Sequence, residues 1–158
     1  MHPAVKALIA WSVAGYAAGF AQDLIRHAMF GALGDVFVFP GIVRTLFVCA
    51  THVPLSTAYC LIIFVLAVPV RMGLRRFSLG TMILNAVSFL AATLAGAGLA
   101  LGIWYLGRLN GDILNLDNDL PAMIAPTIIE AIPFGLAAFG VYWTVYRDRP
   151  QPDMTRVF

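Results

Sequence analysis

Glu130 sits inside the apolar run 122–146, and an ionisable group so placed is the first candidate for chemistry in this chain. In hydrocarbon a carboxylate is costly unless it is paired, hydrated or protonated. Its nearest ionisable counterpart by depth is His52, inside the second apolar run. Both lie about 12–14 Å from the start of their runs at ~1.5 Å per residue, close to the middle of a ~30 Å core. Prolines flank both residues: Pro54 follows His52, and Pro126 and Pro133 bracket Glu130. A proline inside a helix frees the carbonyl four residues earlier, and bent helices with free carbonyls build ion sites in transporters. Thr127 lies one turn before Glu130, and Ser56 and Tyr59 follow His52 at helical spacing. Glu130, His52, Thr127, Ser56 and Tyr59 thus form the expected ligand, ion or proton site, centred on a Glu130–His52 pair.

The elements that would hold these residues are membrane helices. Hydrophobic residues make up 61% of the 158, charged residues only 11%, and the mean hydropathy is +0.86. So much apolar surface at this length calls for a bilayer as solvent. Four spans are expected, at about 4–24, 43–69, 79–106 and 122–146, forming an all-α integral-membrane four-helix bundle in one domain over 1–158. Lys6, an apolar run and Gly19-Phe20-Ala21 imitate a signal peptide. That segment is read as a retained first span.

Polar residues recur along faces. Span two carries Thr45, Cys49, His52, Ser56 and Tyr59, and span one carries Ser12, Tyr16, Gly19, Asp23 and Arg26, each in alternating steps of four and three. Span three adds Thr81, Asn85 and Ser88. Such faces belong inside a bundle, where hydroxyls and amides bond neighbouring helices. Gly15-x-x-x-Gly19 and Gly98-x-x-x-Gly102 permit close helix approach, either between spans one and three or to another subunit. Cys49 and Cys60 share a face about 16 Å apart, too far to bridge.

Basic residues set the expected orientation. Lys6, Arg71, Arg75, Arg76, Arg147, Arg149 and Arg156 fall on one side, and Arg26, Arg44 and Arg108 on the other, a 7 to 3 split. Lys and Arg concentrate in the cytoplasm, so both termini are expected there. Reporter fusions at Arg75 and after Phe158 should read cytoplasmic and one at Asp117 external; an external C-terminus would mean a miscounted span. Segment 28–42 is apolar but broken by Gly31, Gly34, Pro40 and Gly41, too short to cross, and suited to an interface, a re-entrant loop or a cover for a partner. The stretch with Asp112, Asp117 and Asp119 is acidic, yet it lacks the glycine turn and terminal glutamate of an EF-hand, so no metal site is assigned.

Several chemistries have no support. There is no zinc-type Cys/His spacing, phosphate-binding glycine loop, G-x-S-x-G elbow or H-E-x-x-H. The net charge of +2 is spread over helix ends, which is no nucleic-acid footprint. No motif implies a cofactor. His27 and His52 stand at different depths, which tilts a bis-His haem badly; a quinone or lipid in an apolar groove, with His52 or Tyr59 as donor, fits the residues better. The leading expectation is a non-catalytic subunit or assembly partner of a larger membrane complex, or a homo-oligomer. The alternative is a small proton- or cation-coupled transporter or channel using Glu130 and His52; a membrane enzyme or quinone- or lipid-binding protein is third. Nine arginines to one lysine, with abundant Ala and Gly, suit a bacterial inner membrane.

Overall fold

The computed structural model of the chain describes residues 2–77, 80–109 and 116–146, the side chains of 104, 107–109 and 116–121 excepted. Asp112, the side chains of Arg108, Asp117 and Asp119, and the arginines at 147, 149 and 156 lie outside that description. The described chain is a bundle of α-helices: α1 (Pro3–Met29), α2 (Leu33–Phe37), α3 (Gly41–Thr51), α4 (Val53–Leu74), α5 (Thr81–Leu109) and α6 (Leu116–Val141), the last ending in a π-helical turn, Tyr142–Tyr146. Four segments are long and apolar enough to cross a bilayer: Pro3–Met29, Val53–Leu74, Thr81–Ile103 and Ala122–Tyr146. The chain is a multi-pass membrane protein whose apolar helices face lipid.

Helix α1 starts where His2 accepts a hydrogen bond from the Ala4 N–H through its ring, with Pro3 in the first turn. It runs past residue 24, the end expected from hydropathy, because nothing up to Met29 breaks a helix. The stop is Gly31, whose φ of +71° is left-handed, with the Ala32 N–H closing on the His27 carbonyl at 2.8 Å. This extra turn and a half carries Arg26 and His27 on helical backbone.

The expected second span, 43–69, is two helices. Pro54 has no N–H to give the Ala50 carbonyl, and its ring crowds that carbonyl. The chain breaks one residue beyond Thr51: His52 (φ −94°, ψ 1°) closes α3 and opens α4, its N–H shared between the Val48 and Cys49 carbonyls. His52 still lines one hollow with Cys49 and Ser56, but that part of the face is left uncovered. Thr45, Cys49 and Ser56 are buried as that stripe requires, whereas His52 is exposed. Pro126 and Pro133 have no such effect, and α6 is continuous through both. Prolines persist in membrane helices where neighbours support the backbone, and α6 packs on α1, α4 and α5.

Each long helix packs on the next, and α6 returns to α1, with α4 and α6 touching across the ring. Segment 28–42, expected at an interface, as a re-entrant loop or as a cover for a partner, holds α2. This short helix buries Val36 and packs with α3 on the end of α1. Phe30, Phe37, Val38 and Phe39 are left exposed.

The core is uneven along the bundle. At the end carrying Lys6 and Arg71 it is dense with rings. Trp11 meets Phe64 edge-on at 5.4 Å, Phe89 meets Phe139 at 5.4 Å, and Phe89 meets Tyr142 at 5.6 Å. The Arg71 guanidinium lies 5.2 Å over the Tyr142 ring, and Trp11 donates to Tyr146 at 3.2 Å. At the other end α5 has no buried residue among those described after Ala97, and α6 none before Ala131. The bundle is closed at its basic end and open at the opposite one.

The hydroxyls form less interhelical glue than their placement predicts. Ser88, Thr93 and Thr127 each donate to the carbonyl one turn back in their own helix, at 2.7 Å. Thr57 does cross, to the Trp11 carbonyl at 3.4 Å. Asn85 is 1% exposed, and its side-chain oxygen has no hydrogen-bond partner.

Candidate functional site

Helices α1 and α6 run antiparallel in near-equal steps. Trp11 meets Tyr146 at the basic end, and Arg26 meets Glu130 near the other. Counted from Lys6 at ~1.5 Å per residue, Arg26 lies about 30 Å along α1, one hydrocarbon thickness away.

The Glu130 carboxylate is held by α1. Arg26 donates through Nη2 at 2.6 Å and through Nε at 3.2 Å, one bond to each oxygen, and Gln22 donates through Nε2 at 2.9 Å. Gln22 and Arg26 stand one turn apart on one face, so a single helix supplies all three bonds. The two-point guanidinium contact fixes direction as well as charge. The Glu130 side chain is 17% exposed and Arg26 52%, so the pair is sunk at the carboxylate and open at the guanidinium.

The expected Glu130–His52 pair is not formed. The His52 ring turns back on its own helix, with Nδ1 2.8 Å from the Val48 carbonyl and 3.3 Å from the Thr51 hydroxyl. The longer α1 delivers a permanent cation, Arg26, to the carboxylate instead. The sequence did hold a signal for Arg26, since it ends the polar stripe of span one. Its charge placed it outside the span, but a long side chain on helical backbone reaches back into the core. Gln22 carried no such signal, because a glutamine near a helix end is ordinary.

Four of the five expected site residues do meet. Glu130, Thr127, Ser56 and Tyr59 line one cavity of about 330 Å³ with Gln22 and Phe134. Tyr59 stands edge-on to Phe134 at 4.9 Å, below the carboxylate on the way to the packed end. His52 lines a neighbouring hollow of about 160 Å³, whose wall includes Gln22, Arg26 and Ser56. A larger cleft of about 570 Å³ opens on the far side of Glu130, between the unburied ends of α5 and α6. Arg26, Thr127 and Glu130 form its polar edge, and Met29, Ala100, Leu101, Met123 and Pro126 are apolar wall.

No protein-family model, curated protein or solved structure matches the chain.

The glycines divide by use. A Cβ on Gly15 would strike Thr57, including its backbone nitrogen at 2.8 Å, and one on Gly19 would meet the Ser56 hydroxyl at 2.9 Å. Both seat α1 on α4, the neighbouring helix, rather than on α5. On α5 it is Gly96 that lies against Ile63 and Tyr59. Among the described residues, Gly98 and Gly102 have nothing within 4 Å, and they lie on the side of α5 away from buried Phe89, Thr93 and Gly96. No described residue of the chain packs on them.

A second charged group lies beyond this site. Asp23, His27, Asp35 and Arg44 surround a hollow of about 280 Å³ under α2 and α3. His27 Nδ1 is 2.8 Å from the Asp23 carbonyl and 3.6 Å from its carboxylate. Among the described residues, no three His, Cys, Asp or Glu side chains gather to hold a metal ion.

Proposed function

We propose that the protein is a non-catalytic membrane subunit, an assembly partner for other membrane helices or for further copies of itself. The observation that carries this reading is the state of Glu130. Its charge is compensated by Arg26, so the embedded carboxylate ties α1 to α6 as a structural member. The outward Gly98–Gly102 stripe supports the same reading. Within the bundle, glycines at Gly15, Gly19 and Gly96 mark close helix contacts, and a partner helix would use this stripe in the same way. Both termini are taken as cytoplasmic from the basic-residue bias, in a bacterial inner membrane.

The test is assembly mass. Gly98→Leu and Gly102→Leu should each lower the mass of the complex purified in mild detergent while leaving the melting of the chain itself unchanged. Wild-type mass in both variants would overturn the assembly reading.

One observation favours a second reading, a small cation- or proton-coupled transporter. Glu130, Thr127, Ser56 and Tyr59 surround one cavity near the open end. Under that reading Glu130→Gln abolishes flux in reconstituted vesicles; under the subunit reading, wild-type vesicles carry no flux to abolish.

A further inference from the structure

The open cleft between α5 and α6 has two kinds of surface. Its walls are apolar, from Ala100 and Leu101 on α5 and Met123 and Pro126 on α6. Its edge is charged, from Arg26 and Glu130. A purely apolar occupant would leave the ion pair without solvation, and a small hydrated ion would leave the walls without contact. An amphiphile satisfies both.

The level of the site narrows the choice. Arg26 stands about one hydrocarbon thickness from Lys6, where phospholipid headgroups lie, while the cleft walls extend toward the acyl chains. Glu130 takes the N–H groups of Arg26 Nε and Nη2, so Nη1 is directed outside that pair, on a side chain 52% exposed. A guanidinium of this kind is a good phosphate donor. The Glu130 carboxylate contacts it on the edge of the same cleft, so a second negative charge on the ligand is disfavoured and a positive one accommodated.

We propose that this cleft seats one zwitterionic phospholipid. Its phosphate is held by Arg26, its ammonium lies toward Glu130, and one acyl chain runs along the wall of Ala100, Leu101 and Met123.

The experiment is native mass spectrometry of the purified chain delipidated in detergent, then titrated with phosphatidylethanolamine, phosphatidylglycerol or diacylglycerol of the same chains. One phosphatidylethanolamine should bind, roughly tenfold more tightly than diacylglycerol, the difference expected of a charge-assisted hydrogen bond. Phosphatidylglycerol should bind more weakly than phosphatidylethanolamine. Ala100→Phe fills the cleft from its α5 wall and should lower binding roughly tenfold, about 1.4 kcal/mol. Leu99→Phe, exposed on the other side of the helix, should not change it. If Ala100→Phe does not fold, Met123→Trp at the exposed rim gives the same reading. Equal binding of diacylglycerol, tighter binding of phosphatidylglycerol, or binding indifferent to filling the cleft would overturn the proposal.

Discussion

Replacing Arg26 by Gln should destabilise the bundle by about 2 kcal/mol, through the carboxylate it leaves behind. Removing one partner of a fully buried ion pair costs ~3–5 kcal/mol because the other charge stays uncompensated. Here Glu130 is largely covered but Arg26 is half exposed, which reduces the cost. Glu130→Gln should cost less than Arg26→Gln, since a neutral amide still accepts from Gln22 and the orphaned guanidinium can turn outward. The double replacement Arg26→Met with Glu130→Leu removes both charges and should recover most of the loss, the mark of a coupled pair. Unfolding in detergent, followed by helical signal against added denaturing detergent, measures all three. Glu130→Gln combined with His52→Ala should be additive, since their rings and carboxylate have separate partners. Additivity between Arg26 and Glu130, or coupling between Glu130 and His52, would refute this account of the site.

Gly15→Leu should be strongly destabilising, at about 3 kcal/mol or more. The first added carbon already runs into Thr57, and the nearest atoms include backbone, with the nitrogen at 2.8 Å and Cα at 3.0 Å. Backbone cannot rotate aside, so α1 and α4 must separate. Gly19→Leu should cost less, because a Cβ there first meets the Ser56 hydroxyl, a side-chain end with rotamers open to it. Gly98→Leu should leave the melting of the chain unchanged. The order Gly15, Gly19, Gly98 is read from thermal melts of the purified chain. A Gly15→Leu protein as stable as wild type would mean that α1 and α4 do not lie in the contact described.

These two predictions trace how much the sequence contained. Gly15 and Gly98 read alike as members of a G-x-x-x-G, yet one is pressed against Thr57 and the other faces away from the core. A spacing motif says that a smooth stripe exists; it does not say which helix lies over it. His52 and Glu130 were matched in depth from hydropathy alone, and depth along two helices leaves their rotation and lateral order open. Arg26 closes the polar stripe of span one yet lies past that span's expected end at residue 24, whereas the backbone stays helical to Met29.

By itself the sequence determined the solvent and the class of fold. Apolar runs of more than twenty residues can satisfy their backbone in a bilayer only as helices, so the solvent alone dictates secondary structure there. It also determined which residues are polar at membrane depth, and that Glu130, Thr127, Ser56 and Tyr59 share a polar character. Tertiary structure decided the partners. The antiparallel register of α1 on α6 put Gln22 and Arg26 beside Glu130, and the His52 ring rests on the Val48 carbonyl of its own segment. Residues of α5 and α6 left unburied beyond the ring-packed end line the cleft. Each of these depends on the rotation of one helix about its axis relative to another, and that angle is set by side-chain packing between helices, which no single run of residues encodes.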